Sequence, residues 1–340
     1  MNSIIAKDLK QFTATFDLAG DIENTTFIVT GATGLIGSTI IRCLIALNRS
    51  IRIYAPVRDI EKAKEMFPDN PDIILMEGDL LDFDYTLCKD VDYIIHCAAP
   101  TASKFFVDHS VETIRTIVFA TNRILDFARQ NPVKSIVYLS SMEVYGQIVD
   151  ENPITENVQG HVNPLQLRSS YPMAKRLAEN LCCAYASEYA LPVKIARLAQ
   201  TVGAGVGKTD NRAITQFIKL ALAGKDIILH TTGQSTNPIC YTVDAVSAIL
   251  YILMRGENGN AYNVANEANY TSVFDLAQLI KRTINPDIDV TIELNDRMGF
   301  PPTTHLRLSC DSLHALGWKA HYSLEDVVTR LAAYLSHPLE

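Results

Sequence analysis

Two kinds of hydrophobic pattern alternate along the chain as far as Gln200. Short runs are apolar at nearly every position, whereas the longer segments between them repeat apolar residues every three or four positions. The first pattern predicts strands buried on both faces, and the second predicts amphipathic helices. The predicted strands are Phe27–Val29, Ile51–Val57, Ile73–Met76, Val91–Cys97, Ile136–Leu139 and Val193–Leu198, and the predicted helices span residues 36–45, 60–67, 104–130 and 171–189. Such alternation is typical of an α/β fold whose parallel sheet is covered by helices on both faces.

The pattern changes after Gln200, where a glycine-rich loop follows. Beyond it, helices are predicted at 213–223, 244–254, 272–284 and 324–335, and strands at 227–230, 261–264 and 290–293. This order predicts a smaller C-terminal lobe at the carboxyl edge of the sheet, where ligands of such folds bind. At the other end of the chain, residues 1–20 predict a helix or arm before the first strand.

Three glycines join the first predicted strand to the helix that follows it. Gly31, Gly34 and Gly37 form the pattern GxxGxxG, for which the alternative interpretation is an ordinary turn between a strand and a helix. A turn of this kind lets the backbone approach a pyrophosphate, which then lies at the positive end of the helix. The strand before it and the helix after it favour dinucleotide binding. The cofactor contacts predicted here are Gly31, Thr33, Gly34, Leu35, Ile36 and Gly37.

These features together predict a Rossmann-type doubly wound parallel sheet with a smaller C-terminal α/β substrate lobe. Residues 26–200 are the predicted NAD(P)-binding domain, and residues 237–266 are expected to return to it. Residues 201–236 and 267–340 are assigned to the substrate lobe, and residues 1–25 to an N-terminal extension. We expect the substrate between the two units.

Composition and charge restrict the classes of function. The chain has 340 residues, of which 48% are hydrophobic, and its net charge is −8 without a lysine or arginine run. We therefore expect a packed enzyme, with neither nucleic acid nor an anionic membrane as partner. No apolar stretch approaches the ~20 residues of a membrane span, and no signal peptide is recognised. The seven cysteines lack metal-site spacing, so we expect reduced thiols, no metal and a cytoplasmic protein.

Tyr171 and Lys175 lie four residues apart on a predicted helix and therefore on the same side of it. An ammonium group near the phenol would lower the pKa of Tyr171, so that this tyrosine could take a proton from a substrate hydroxyl. The alternative is a pair of residues on a solvated helix face. Ser141 directly follows the fifth strand, where its hydroxyl could hold the reacting oxygen or simply cap a loop.

These motifs together resemble those of the extended short-chain dehydrogenase/reductases of the NAD-dependent epimerase/dehydratase family, over residues 26 to about 335. The shared segments are the glycine turn, Gly78-Asp79-Leu80, His96-Cys-Ala-Ala99, Ser140-Ser141-x-x-Val144-Tyr145-Gly146 and Tyr171-x-x-x-Lys175-Arg176-x-Ala178-Glu179. The resemblance implies that Tyr171 is the base, that Lys175 also holds the nicotinamide ribose, and that Ser141 binds the 4-oxygen of a nucleotide sugar. The further cofactor contacts that it implies are Asp79 and Leu80 at the adenine, with Cys97, Ala98, Ala99 and Leu198.

Within that family, several segments are similar to those of UDP-glucuronate decarboxylases. They are Ala99-Pro100-Thr-Ala-Ser103, Val111-Glu-Thr113-Ile114, Ser141-Met142-Glu143, Arg168-Ser-Ser-Tyr171 and Asp210-Asn-Arg212. The resemblance implies oxidation of the sugar at C4, which makes a β-keto acid that loses carbon dioxide readily. Glu143 would then raise the energy of the sugar carboxylate or move a proton at C5, unless it is an ordinary surface carboxylate. The implied substrate contacts are Pro100, Ser103, Ser141, Met142, Arg168, Gln200, Arg212 and Arg297.

The chain departs from the family pattern at positions that concern the substrate. Asn237 lies where many relatives carry an arginine for the nucleotide phosphates, and Gln200 replaces a common asparagine. Phosphate binding would then fall to Arg212 and Arg297, each of which could instead be an ordinary surface arginine. Met142 replaces the aspartate that 4,6-dehydratases use. A nucleotide-sugar 4-epimerase and a 4,6-dehydratase are therefore alternatives to the decarboxylase.

The sequence is compatible with either NAD or NADP as the cofactor. Arg58, after the second strand, could bind a 2′-phosphate or stack on adenine, whereas Asp59 could serve the ribose or cap the next helix. The resemblance favours tightly bound NAD. A net NADPH-dependent carbonyl reductase and a non-catalytic dinucleotide sensor are the alternatives from other classes. The helices predicted at 104–130 and 171–189 resemble those of a four-helix dimer interface in relatives, so a homodimer is expected.

Overall fold

The structure is a computed structural model that describes residues 2–68, 70–148, 152–207, 209–295 and 303–336. Its strands are β1 Thr26–Thr30, β2 Arg52–Val57, β3 Ile73–Glu77, β4 Tyr93–His96, β5 Ser135–Ser141, β6 Val193–Leu198, β7 Gln200–Val202, β8 Ile227–Leu229, β9 Thr236–Tyr241, β10 Ala261–Val264, β11 Tyr270–Ser272 and β12 Val290–Ile292. Its α-helices are α1 Ser3–Thr15, α2 Leu35–Ala46, α3 Ile60–Met66, α4 Ser103–Asp108, α5 Ser110–Gln130, α6 Ser170–Tyr189, α7 Ala213–Leu222, α8 Thr242–Arg255, α9 Val273–Ile284, α10 Asp311–His314 and α11 Leu324–Ser336.

A parallel sheet of seven strands forms the centre of the molecule, in the order β10-β6-β5-β4-β1-β2-β3. The chain runs outwards from β1 to β3, returns to the other side of β1 at β4, and continues outwards to β6. This reversal beside β1 is the switch point of a doubly wound sheet. The predicted α/β fold with a Rossmann-type parallel sheet is confirmed.

Both faces of this sheet are buried, as the continuous apolar runs predict. Phe27 and Val29 of β1 belong to one hydrophobic core, whereas Ile28 between them belongs to the other. Side chains of α2 and α8 complete the first core, and side chains of α5 and α6 complete the second. The packing of helices on both faces fixes the positions of the strands, and with them the residues at the carboxyl edge of the sheet.

One helix that the sequence predicts as continuous over 104–130 is two helices in the structure. The break lies at His109, whose φ of −133° and ψ of 51° are not helical. The Ser110 hydroxyl donates a hydrogen bond to the Val107 carbonyl at 3.0 Å, and the His109 ring packs on Phe105 with centroids 4.6 Å apart. Such local contacts compete with the helical backbone pattern, so α4 ends at Asp108 and α5 begins at Ser110.

The C-terminal part of the chain contains a small sheet that the sequence pattern does not predict. Its strand order is β11-β9-β7, and β9 is parallel to β7 and antiparallel to β11. The pattern misses β9 because Asn237 and Pro238 are both unusual within a strand. The predicted strands at 227–230 and 290–293 are present as β8 and β12, which pair with each other in parallel.

The predicted N-terminal helix is present as α1, which packs against α2, α8 and α11. Its Asp8 is buried and joins distant parts of the chain. The Tyr241 hydroxyl donates a hydrogen bond to this carboxylate at 2.6 Å, and Arg330 pairs with it at 2.5 Å. The first helix is thus bonded both to the end of β9 and to α11. Among the described helices, none combines the length and the apolar character needed to cross a membrane.

Candidate active site

The carboxyl edge of the large sheet gathers the predicted cofactor and catalytic segments. The glycine turn follows β1, the segment 97–99 follows β4, and Ser141 ends β5. Thr30, at the end of β1, fixes the second of these segments, because its hydroxyl oxygen accepts hydrogen bonds from the Cys97 and Ala98 amides at 3.1 and 3.2 Å. The backbone at Ala98 therefore lies directly against the glycine turn.

The glycine turn has the close backbone packing that a dinucleotide site needs. Gly31 has a φ of +67°, and a Cβ at this position would lie 3.0 Å from the Ala98 nitrogen. A Cβ on Gly37 would lie 2.3 Å from the Gly31 carbonyl oxygen, so only glycine lets α2 begin this close to the turn. The first amides of a helix have no acceptor within it and carry the positive end of its dipole. Residues 31–37 therefore fit the pyrophosphate of a dinucleotide.

The predicted adenine contacts lie at the ends of β2 and β3, which are paired in register at Val57 and Glu77. Arg58 is exposed at this edge, and Asp79 holds the turn after β3 by accepting a hydrogen bond from the Leu81 amide at 2.9 Å. Asp59 accepts a hydrogen bond from the Lys62 amide at 3.0 Å. Of the two roles open to Asp59, the structure shows that of helix cap for α3.

Tyr171 lies in the first turn of α6, close enough to Ser141 for the serine hydroxyl to lower the pKa of its phenol. Burial raises the pKa of Tyr171 above its ordinary value, and the nearby Glu143 charge raises it further, while the Ser141 hydroxyl and Arg168 lower it. The predicted lowering by Lys175 is wrong for this arrangement, because the Lys175 Nζ lies 5.8 Å from the centroid of the Tyr171 ring and burial dominates. A phenol with a raised pKa needs a further positive charge beside it to become a phenolate.

Lys175 is buried one helical turn after Tyr171. Its ammonium group donates a hydrogen bond to the Leu139 carbonyl at 2.6 Å and lies 4.7 Å from the centroid of the Tyr138 ring. Burial lowers the pKa of Lys175 to about 8, against the opposing attraction of Glu179. The solvated-face interpretation of the Tyr171 and Lys175 pair is therefore wrong, since both side chains lie inside the molecule.

Glu143 and Arg168 form a doubly hydrogen-bonded ion pair beside the tyrosine. The two guanidinium nitrogens lie 2.9 Å from the two carboxylate oxygens. The Glu143 amide also donates to the Ser141 hydroxyl oxygen at 3.2 Å, which places the start of this side chain next to the serine. The structure therefore brings Ser141, Glu143, Arg168 and Tyr171 into one cluster.

The other predicted substrate contacts are distributed around this cluster. Arg212 pairs with the Asp210 carboxylate at 2.7 Å and donates to the Thr201 carbonyl, so its charge is already partnered next to β7. Gln200 begins β7, opposite Ile239 of β9. Pro100 and Ser103 lie before and at the start of α4, and Met142 follows Ser141, whereas Arg297 lies outside the described residues.

Phe106 is a residue of this site that the sequence did not reveal. Its ring stacks on the Tyr171 ring with centroids 4.2 Å apart and planes 9° apart. On the Phe106 ring lies the Arg168 guanidinium, 5.0 Å from the centroid. Ser170 anchors this segment by donating to the Phe106 carbonyl at 2.9 Å. A phenylalanine in a helix gives no sequence signal for such a role, because its partners are about 65 residues away along the chain.

Two arginines hold the loop that carries Ser141 and Glu143. Arg176 donates to the Val144 carbonyl at 2.7 Å and to the Gly160 carbonyl at 2.8 Å. Arg197 pairs with Glu179 at 2.7 Å and donates to the Tyr145 hydroxyl at 3.1 Å. Arg176 and Glu179 belong to the motif noted in the sequence, which is the signal that could have identified them. Their contacts fix the loop to α6.

A glycine turn against the end of β4, together with a serine–tyrosine pair and a buried lysine, defines an enzyme of the short-chain dehydrogenase/reductase class. A sequence profile of the NAD dependent epimerase/dehydratase family matches residues 27–265, and the chain belongs to this family. The predicted family and NAD as the predicted cofactor are thereby confirmed.

Individual relatives carry several activities. The UDP-glucuronic acid decarboxylase 6 of Arabidopsis thaliana is 31% identical over 275 residues, which cover 80% of this chain and 78% of that protein. The UDP-glucose 4-epimerase of Thermotoga maritima, solved with UDP-glucose, has a TM-score of 0.79 and 22% identity over 93% of this chain and all of its own. The UDP-glucuronic acid 4-epimerase of Bacillus cereus, solved with UDP-glucuronic acid and NAD, has a TM-score of 0.80 and 19% identity over 93% of this chain and 100% of its own. At these identities the two structures show the shared fold.

Proposed function

We propose that this enzyme oxidises C4 of a nucleotide sugar transiently and that its overall reaction is the decarboxylation of UDP-glucuronate. The observation that carries the proposal is the placing of Ser141 next to the buried Tyr171, beside which the Glu143 and Arg168 side chains form an ion pair. The similarity to a UDP-glucuronic acid decarboxylase over four fifths of the chain supports the choice of reaction.

The chain's own groups account for the proton movements. NAD+, when bound, supplies a hydride acceptor and the positive charge that favours the phenolate of Tyr171. Tyr171 takes the proton of the sugar 4-hydroxyl while Ser141 holds that oxygen by a hydrogen bond. As carbon dioxide leaves, the electron pair of the C5–C6 bond moves towards the C4 carbonyl, whose oxygen takes the proton held by Tyr171. Protonation at C5 restores the C4 carbonyl and returns that proton to Tyr171. C4 then regains its hydride as Tyr171 gives the proton back to the 4-oxygen. Glu143 lies on the same side as the serine, where it can repel the leaving carboxylate or pass a proton to C5.

Other reactions of the same keto sugar are the second candidates. A 4-epimerase would use the same serine, tyrosine and lysine. The fold likeness to two epimerases makes 4-epimerisation the second candidate after decarboxylation. A 4,6-dehydratase is disfavoured because Met142 cannot supply an acid. A net carbonyl reductase would consume NADPH stoichiometrically, and the exposed Arg58 is the residue that would favour it.

Product analysis tests the proposal directly. We expect the protein, incubated with UDP-glucuronate and NAD+, to release carbon dioxide and form a nucleotide pentose that mass spectrometry and NMR identify. Tyr171→Phe should lower turnover by about 10²- to 10⁴-fold, whereas Tyr189→Phe at the exposed end of α6 should not. An unchanged mass with inversion at C4 would select the epimerase, and loss of water the dehydratase. Full turnover by Tyr171→Phe would refute the catalytic assignment.

We also propose that the enzyme is a homodimer joined through α5 and α6. These two helices pack side by side and expose large apolar side chains, with Val111 71%, Phe119 52% and Leu177 49% exposed. Contiguous exposed apolar surface marks interaction sites. Sedimentation at micromolar concentration should show twice the 37.7 kDa chain mass. Phe119→Asp should shift the protein towards monomer, whereas Ile292→Asp on β12, where the side chain is 46% exposed, should not. A wild-type monomer would contradict the proposal.

A cytoplasmic setting is the last part of the proposal. All seven cysteines lie within the described residues and have free thiols. Unpaired thiols are typical of reducing compartments. Cell fractionation that places the protein outside the cytoplasm would contradict this expectation.

A further inference from the structure

The Glu143 and Arg168 side chains satisfy each other inside the cluster that is proposed to bind the sugar. Both guanidinium NH2 groups and both carboxylate oxygens are used in this contact, at 2.9 Å each. Such a two-point geometry is the strongest form of carboxylate recognition that a side chain offers. In this state, the Glu143 carboxylate is neutralised by Arg168, and both NH2 groups of the Arg168 guanidinium are already bonded.

The surroundings of the pair leave it open to exchange. The Arg168 and Glu143 side chains remain 42% and 31% exposed, so a ligand can reach both. The Arg168 guanidinium also packs on the face of the Phe106 ring, which stacks in turn on Tyr171. Arg168 can therefore keep its place when Glu143 turns away. Because Glu143 begins next to Ser141, the exchange would take place beside the oxygen that Ser141 and Tyr171 are proposed to hold.

We infer that Arg168 determines specificity for a sugar carboxylate by exchanging Glu143 for the carboxylate at C5 of the substrate. The inference rests on the proposed function. One carboxylate replaces another on the same fork, so the arginine keeps a bidentate partner and little net charge is transferred. A neutral hydroxymethyl group cannot make this replacement, because it would leave Arg168 without an anionic partner. The exchange frees the Glu143 charge only when an acidic sugar is bound.

The freed carboxylate gives the exchange a role in the reaction. Glu143 without its counter-ion faces the substrate carboxylate from the serine side, and like charges at short range raise the energy of the bound acid. Binding of the acidic substrate thus releases the Glu143 carboxylate, which then repels the carboxylate of the substrate. A neutral nucleotide sugar would leave the Glu143–Arg168 pair closed.

Binding to the NADH-loaded protein, which has no hydride acceptor and so does not turn UDP-glucuronate over, separates this inference from its alternatives. Calorimetry with UDP-glucuronate and UDP-glucose gives two dissociation constants, whose ratio measures the preference for the carboxylate. We expect Arg168→Gln to reduce that preference by about 10- to 100-fold, the range for a lost charge-assisted contact, while binding of UDP-glucose changes little. Arg52→Gln, at the amino end of β2 and thus at the opposite edge of the sheet, is the matched control.

The second variant predicts a change of opposite sign. Glu143→Gln removes the competitor for Arg168, so UDP-glucuronate should bind several-fold more tightly while turnover falls. Weaker binding of both ligands to Glu143→Gln would overturn the exchange. If the wild type prefers UDP-glucuronate and Arg168→Gln keeps that preference, only this inference fails. If the wild type binds neither ligand, the proposed function fails, and the inference with it. Arg168→Lys, which keeps the charge without the fork, should lie between wild type and Arg168→Gln.

Discussion

Lys175 brings a charged group into the interior of the molecule, where none of the described carboxylates forms an ion pair with it. Its ammonium group donates a hydrogen bond to the Leu139 carbonyl. Water is excluded there by the Tyr138 and Tyr171 rings, and burial lowers the pKa of Lys175 to about 8. A lysine in this position carries a cost in stability that is consistent with a functional role.

This cost in stability gives a prediction whose size depends on pH. Between about pH 8 and 10.5, the unfolded chain holds the lysine proton more firmly than the folded chain does, so the penalty of burying the charge is full below pH 8 and fades as the pH rises. Lys175→Met should therefore be more stable than the wild type at pH 7, by roughly 1–3 kcal/mol, and the difference should shrink towards pH 10. Chemical denaturation at both pH values measures it, with exposed Lys62→Met as control. A variant less stable at pH 7 would contradict the prediction.

The sequence identifies the proposed catalytic residues better than it identifies the residues that contact them. Ser141, Tyr171 and Lys175 are found because each occupies a fixed place relative to a strand end or to one helix. The bonding of Glu143 to Arg168 depends on two segments that are 25 residues apart meeting in space. Phe106 lies still farther from its partners. Such contacts follow from the packing of α4 on the start of α6, which hydrophobic periodicity does not specify.

At the scale of elements, Asp59 can be tested for two roles, as the cap of α3 and as a contact to the ribose of the cofactor. Asp59 accepts the Lys62 amide, so Asp59→Ala should lower the free energy of unfolding by about 0.5–2 kcal/mol, whereas Asp59→Ser should restore most of it. Because this carboxylate is used by the helix, we expect the affinity for NAD to change little. Urea denaturation and fluorescence titration measure the two quantities. A large loss of NAD affinity in both variants would assign Asp59 to the ribose instead.

The predictability of an element follows from how completely its side chains are buried. The strands β1, β2, β4, β5 and β6 are found from sequence because they are almost entirely buried, which leaves continuous apolar runs such as residues 27–29. The edge strand β3 is only half-buried but keeps an apolar run over residues 73–76. In contrast, the first half of β9 contains polar Asn237 and Pro238, and β7 and β11 have three residues each. Strands that are this short do not establish a period, so the small sheet is recognised only in three dimensions.

At the scale of the whole molecule, Asp244 connects the large sheet to the C-terminal segment. It lies in the first turn of α8, and its carboxylate accepts hydrogen bonds from the backbone amides of His321 and Tyr322 at 3.0 Å. Burial raises the pKa of Asp244 to about 7, despite those two amides, and the charges of Asp326 and Asp8 add to the rise. The folded protein therefore takes up a proton here near neutral pH.

The protonation of Asp244 should make the protein more stable in mild acid. Between about pH 4 and 7, the folded chain holds this proton more firmly than the unfolded chain, so this group's contribution to stability falls as the pH rises through that window. From pH 5 to pH 8, the wild type should lose roughly 1–3 kcal/mol relative to Asp244→Asn. Parallel unfolding curves at the two pH values give this difference, and Asp21→Asn at an exposed site should follow the wild type. Equal pH dependence in both aspartate variants would refute the assignment.

The buried contact of Asp8 with Tyr241 and Arg330 restricts how the enzyme can open. A swing of the C-terminal elements away from the sheet would pull α11 and the end of β9 from α1, leaving a buried carboxylate without its partners. Hinge motion of that kind is therefore costly. We expect ligands to enter by displacement of loops at the carboxyl edge while the two ends of the described chain stay fastened together, so that the catalytic groups keep their spacing throughout turnover.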